Sequence, residues 1–200
     1  MIQREWFYPC NLIGYARFAL LIGFFVLQDP LSKLVAIAAS RLLDVIDGRV
    51  AAAMNQRTLF GSRLDLAADV SALAVMSFYV AYLNPNIILQ ILFVLCGLND
   101  IVSNGLSVHL FYRNEKEKID HKKVLVKLGI LLPLYYSKAG LAVSNILNDA
   151  FLLLTIYSSF AYVPQQLLYI CFAGYLFRHL SHLDQTVQLS KLALASQKTI

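Results

Sequence analysis

Apolar residues along this chain gather in long runs rather than short amphipathic stripes, and polar residues collect in the gaps between them. Six runs, at 11–28, 31–53, 61–83, 86–111, 139–161 and 164–183, come close to or exceed the roughly 20 residues needed to cross a ~30 Å hydrocarbon layer. Lipid gives no partner to an open strand edge, so each run predicts a helix. The expected fold class is all-α, a polytopic membrane protein with six transmembrane helices in a single domain over 1–200. The stretch "AIAAS" at 36–40 loosely resembles a signal-peptide cleavage site. Arg17 interrupts the first run and that stretch lies too far downstream, so the run is read as a span.

Composition agrees with the pattern, because a hydrophobic share of 58% excludes an ordinary soluble domain. Charge adds an orientation. Basic residues gather at Arg4, at Arg57 and Arg63, at Arg113, Lys116, Lys118, Lys122 and Lys123, and at Lys191 and Lys198. The connections around Pro30, Pro85 and Pro164 carry only Lys33. By the positive-inside rule both termini and the basic connections face the cytoplasm. "RNEKEKIDHKK" at 113–123 reads as a solvated cytoplasmic loop, with phosphate binding as the sharper alternative. Cys10, Cys96 and Cys171 are scattered and read as small buried hydrophobes. No nucleic acid is expected as a partner.

One segment breaks the apolar rule. "LLDVIDGRVAAAMNQRTLFGSRLDLAAD" at 42–69 holds Asp44, Asp47, Asp65 and Asp69, and a carboxylate at membrane depth costs several kcal/mol unless something pairs with it. Asp44 and Asp47 are spaced i, i+3, and Asp65 and Asp69 i, i+4, so each pair shares a helix face. "MNQRT" between them has the polarity of a turn. With the turn centred near Gln56, Asp47 and Asp65 each lie about nine residues away, and Asp44 and Asp69 about twelve; at ~1.5 Å per residue the two pairs reach one depth. Four converging carboxylates repel one another, and a divalent cation relieves that. An all-oxygen set suits Mg²⁺ or Mn²⁺ rather than zinc, and such ions commonly clamp a diphosphate. Ser40, Gly48 and Ala51, with Gly61, Ala68 and Ala72, put small side chains beside the carboxylates. They either leave room for a ligand or let helices pack closely.

The order Asp44, Asp47-Gly48, Ala51, then Gly61, Asp65 and Asp69 resembles the signature of the CDP-alcohol phosphatidyltransferase family. "NLIGYAR" at 11–17, the stretch 42–61, His121-Lys122, "YYS" at 135–137 and the "ND" after it are similar to its eukaryotic inositol-using branch. The resemblance implies that Asp44, Asp47, Asp65 and Asp69 hold Mg²⁺ or Mn²⁺ on the diphosphate of CDP-diacylglycerol, with Asp69 as general base and no other cofactor. It implies that Gly48, Ala51 and Gly61 admit the cytidine nucleotide, with Asn11 and Arg17 nearby, and that Lys122, Tyr136 and Lys138 meet the alcohol, myo-inositol. It further implies membrane lipid as partner, a homodimer as candidate assembly, and the endoplasmic reticulum membrane as location.

The chain also departs from that pattern. Ala52 and Pro133 stand where the resemblance leads one to expect arginines, and Asn104 and Gly105 where it leads one to expect His and Trp. A lost guanidinium removes phosphate contacts worth about 1.5–3 kcal/mol each. Two further readings therefore stand beside phosphatidyl transfer to inositol: an inactive paralogue serving as a lipid-binding or regulatory subunit, and a transferase for another alcohol. Arg49, one turn before Ala52, is a candidate substitute. His109, His121, His179 and His182 show no metal-ligand spacing, and "HLSH" at 179–182 reads as an interfacial helix end. Tyr135, Tyr136 and Lys138 read, apart from the resemblance, as an interfacial belt.

Overall fold

In the computed structural model, residues 4–111 and 121–197 are described, and all regular structure among them is helical. A one-turn 3-10 helix, Arg4–Phe7, precedes α1 (Pro9–Val26), α2 (Pro30–Ala53), α3 (Leu59–Leu83), α4 (Ile87–Phe111), α5 (His121–Leu128), α6 (Leu132–Tyr135), α7 (Lys138–Ser158) and α8 (Gln165–Gln197). Arg113, Lys116, Lys118 and Lys198 lie outside the described residues. So do the side chains of His109, His121, Lys122 and Lys123, although their backbones lie in α4 and α5.

All six apolar runs are helices, which makes this a multi-pass membrane protein. Four of them, α1, α3, α4 and α7, are both long and apolar enough to cross a membrane. Helix α2 has the length, but Arg41, Asp44, Asp47 and Arg49 dilute its apolar run. Polar residues do the same to α8, whose 33 residues span about 50 Å at ~1.5 Å each, well beyond a ~30 Å layer. Large apolar side chains stand outward, such as Ile22 and Phe25 on α1 and Ile88 and Ile91 on α4. In water such a surface would be an association hazard; in lipid it is the solvated face.

The chain packs as two compact units, one reaching Tyr79 and one starting at Val80. In the first, α1 buries Cys10, Gly14, Arg17, Leu21 and Phe24, spaced alternately by four and three, which makes one seam facing α2 and α3. Pro9 and Pro30 open α1 and α2, where a missing N–H costs nothing. Asp29 caps α2 by accepting from the Ser32 N–H at 2.7 Å, and the Ser32 N–H and hydroxyl hold its carboxyl below the ordinary carboxylate range.

The connection from α2 to α3 is closed at both ends by local chemistry. Asn55 adopts φ 51°, a left-handed conformation that Asn tolerates. Its N–H donates to Ala52 O at 3.3 Å while the Gln56 N–H reaches Ala51 O at 3.0 Å, a Schellman closure of α2. Thr58 then caps α3, its hydroxyl accepting from the Gly61 N–H at 3.0 Å.

In the second unit α8 is the common partner, packing on α4, α5, α6 and α7. Phe93, Phe151 and Tyr175 form its aromatic core, with Phe151 and Tyr175 centroids 4.8 Å apart, and the exposed Phe172 stacks against it. Asp184 on α8 accepts the N–H groups of Ile130 and Leu131 at 2.7 and 2.8 Å, which fixes the entry to α6.

Candidate functional site

Helices α1, α2 and α3 bring the four aspartates together around one guanidinium. Arg17, fully buried on α1, places Nη1 at 2.8 Å from Asp47 and 2.7 Å from Asp65, and Nη2 at 2.8 Å from Asp44; Nη2 also pairs with Asp69. The i, i+3 and i, i+4 spacings turn each pair to the same side of its helix, and the short turn at 54–58 sets both at one depth, as the register argument expects. Asp44, Asp47 and Asp65 each offer an oxygen within 4.8 Å of the others. Arg17 lies behind this wall: its side chain is 0% exposed while that of Asp65 is 48% exposed.

Arg41 joins the cluster without having been singled out in the sequence. Its Nη1 meets Asp69 at 2.8 Å and its Nη2 lies 3.9 Å from Asp44. The signal was present, since Arg41 precedes Asp44 by three residues on the same helix. Four carboxylates against two guanidiniums leave a formal excess of two negative charges, the charge of one divalent cation. The all-oxygen donor set fits Mg²⁺ or Mn²⁺.

Beside the wall lies a cavity of about 330 Å³ whose lining includes Asn11, Asp47, Gly48, Ala51, Gly61 and Asp65. Four of the five residues expected at the nucleotide are therefore together in one place. Arg17, the fifth, is not among the lining residues and acts through the carboxylates it holds. The small residues divide between the two roles left open. A Cβ at Gly48 would meet nothing within 4 Å, so that position leaves room; at Gly61 it would come within 2.8 Å of Asn11 Oδ1, so that glycine permits close approach. Ala68 and Ala72 are fully buried and pack.

Ala52 is exposed, and so is Arg49, which does not line the cavity. Pro133 sits in the first turn of α6, a position that suits proline. Lys138 is exposed at the start of α7; Tyr136 is half-buried and donates to Gln185 Oε1 at 2.8 Å. Asn104 donates to the carbonyl of Asp100 at 2.8 Å, and a Cβ at Gly105 would meet open space.

A second polar cluster corrects the reading of "HLSH" and of Tyr135. His179 and His182 are 7% and 4% exposed, so they are not an interfacial helix end. His182 Nδ1 lies 3.1 Å and His179 Nδ1 3.6 Å from Asp100, whose other oxygen pairs with Arg178 at 2.7 Å. Tyr135, expected in a belt, is 4% exposed, and its hydroxyl is 2.9 Å from His182 Nε2. The physical reason is the carboxylate: Asp100 at depth needs partners, and α8 turns its polar groups inward to supply them. Asp100 and Arg178, lone charges within apolar runs, were the sequence signal that went unread.

Comparison with known proteins adds relatives. The family model described as CDP-alcohol phosphatidyltransferase matches residues 7–175. A Saccharomyces cerevisiae protein named CDP-diacylglycerol--inositol 3-phosphatidyltransferase is 30% identical over 197 residues, covering 94% of this chain and 85% of its own. Proteins of the same name from Rattus norvegicus and Homo sapiens are 35% and 33% identical over 129 residues, 64% of this chain. The chain spans 59% of the length of the rat and human relatives it matches. No solved structure matches the chain.

Proposed function

Because the chain belongs to the CDP-alcohol phosphatidyltransferase family, we propose that it transfers a phosphatidyl group from CDP-diacylglycerol to myo-inositol, giving phosphatidylinositol and CMP. The observation that carries this reading is the carboxylate wall standing beside a cavity lined by Asn11, Gly48, Ala51 and Gly61. The names of the relatives support inositol as the acceptor. The family match runs through both packing units, which supports treating 1–200 as one functional domain.

In this reading Asp44, Asp47, Asp65 and Asp69 hold Mg²⁺ or Mn²⁺, which when bound neutralises the diphosphate and stabilises the departing CMP. Asn11, Gly48, Ala51 and Gly61 seat the nucleotide in the cavity. Asp69 takes the proton of the inositol hydroxyl as its oxygen attacks the phosphorus bearing diacylglycerol. The bond from that phosphorus to the oxygen bridging to CMP breaks, and CMP leaves with the electron pair. Arg17 and Arg41 keep the carboxylates in place during the exchange. The family resemblance assigns Lys122, Tyr136 and Lys138 to the alcohol, and a homodimer in the endoplasmic reticulum membrane completes the proposal.

The test is an assay of the purified protein with CDP-diacylglycerol, Mn²⁺ and radiolabelled inositol, scored for labelled lipid; labelled product is expected, and none from inositol refutes the reading. A second reading, a binding or regulatory subunit that keeps the cavity without turnover, is favoured by Ala52 and Pro133. It predicts CDP-diacylglycerol binding with no labelled lipid from inositol or any other alcohol.

A further inference from the structure

We propose that Arg57 is the phosphate-binding cation of the cavity, contacting a diphosphate oxygen of the nucleotide-lipid donor. The inference rests on the transfer reading and adds a substrate contact to its site. Among the described residues, Arg57 is the one basic residue lining the cavity, which otherwise carries charge there only as the carboxylates of Asp47 and Asp65. Among the described residues no carboxylate pairs with it, so its guanidinium is available to an incoming anion.

Its position follows from the turn. The Schellman closure at Asn55 brings the chain back over the last residues of α2, and Thr58 then starts α3. Arg57 is thereby held between the end of one helix and the beginning of the next. It also lines a smaller recess with Ala51, Ala52 and Asn55, next to the main cavity. Thr58, Gly61 and Ser62, the cap and first turn of α3, also line the main cavity, where the positive end of the helix dipole favours an anion. A phosphate in this cavity shares its walls with a guanidinium, a positive helix end and carboxylates suited to a cation. This is the arrangement a metal-bound diphosphate needs. Arg49 and Arg63 are not among the lining residues.

The shared recess supplies the decisive test. An arginine placed at 52 enters the space that Arg57 lines, so it should substitute for Arg57. Full-length protein in detergent is measured for CDP affinity in the presence of Mn²⁺, and for the KM values of CDP-diacylglycerol and inositol. Arg57→Ala should weaken CDP binding and raise the donor KM by about tenfold to a hundredfold, leaving the inositol KM unchanged. Arg57→Lys should lose less, and the double variant Ala52→Arg/Arg57→Ala should recover much of the loss. Arg49→Ala should match the parent. Size-exclusion profiles and melting curves of Arg57→Ala and Arg57→Lys separate a binding loss from misfolding. If labelled lipid forms but CDP affinity and donor KM are the same in Arg57→Ala and parent, the inference is overturned and the transfer reading survives. If no labelled lipid forms from any alcohol while CDP binding still depends on Arg57, the transfer reading falls and the cation stands. An inositol KM that rises in step with the donor KM assigns Arg57 a general structural role and overturns the inference.

Discussion

Arg17 holds a positive charge in a place that water does not reach, and four carboxylates share its two terminal nitrogens. Removing it exposes those carboxylates to one another without a counter-charge. Arg17→Ala should therefore cost about 3–5 kcal/mol, the scale for breaking a buried ion pair, read as a lower melting temperature in detergent. A melting temperature equal to the parent's would show that the guanidinium is not what holds the wall. Asp44→Asn and Asp65→Asn remove one ligand each and should abolish Mn²⁺-dependent CDP binding; an active Asp44→Asn protein would contradict the proposed role. The carboxylates were legible in the sequence because membrane depth makes each one conspicuous. The part played by Arg17 was not, because its distance in sequence from the aspartates, 30 residues from Asp47 and 52 from Asp69, hides a contact made only by packing.

The turn between α2 and α3 was legible from the polarity of "MNQRT" alone, and the structure adds its devices, the left-handed Asn55 and the capping Thr58. Thr58→Ala should lower stability by about 1 kcal/mol, the usual value of an N-cap, and Thr58→Ser should restore it; equal unfolding midpoints for Thr58→Ala and parent would refute the cap. Packing of α4 on α8 was much less legible, for Asp100 and Arg178 stand 78 residues apart and no spacing rule joins them. Truncating one partner of such a pair leaves the other charge buried and bare. Arg178→Met should cost about 3–5 kcal/mol, while Asp100→Leu/Arg178→Met should recover part of that because apolar replacement of a whole pair is often tolerated. Melting curves of the single and double variants decide it, and a double variant no better than the single would count against the pair.

For the chain as a whole, lipid made the class legible: a bilayer permits few architectures, and this composition selects the helical one. Which of the six helices cross fully was less so, because the charges that give α2 and α8 their chemistry also weaken their apolar runs. By the positive-inside rule, basic residues at alternate connections predict that both termini and the 113–123 connection face the cytoplasm. Glycosylation acceptors inserted at Asn114 and after Lys198 should stay unmodified in microsomes, and modification of either would overturn that orientation.

The internal counter-charge at Arg17 also bears on the order in which the protein matures. A cluster of four acids that relied on imported ions would be a hazard during synthesis, since it would reach the bilayer before any ion arrived. Here the neutralising group, Arg17, is encoded in α1, 30 residues before Asp47, and so enters the membrane ahead of all four carboxylates. Protein made and purified in chelator should therefore keep the melting temperature of untreated protein to within the small change expected from losing a bound ligand. It should lack transfer activity until Mn²⁺ is returned, and then recover it without refolding. Collapse of the folded protein on chelation would show instead that the metal is part of the scaffold.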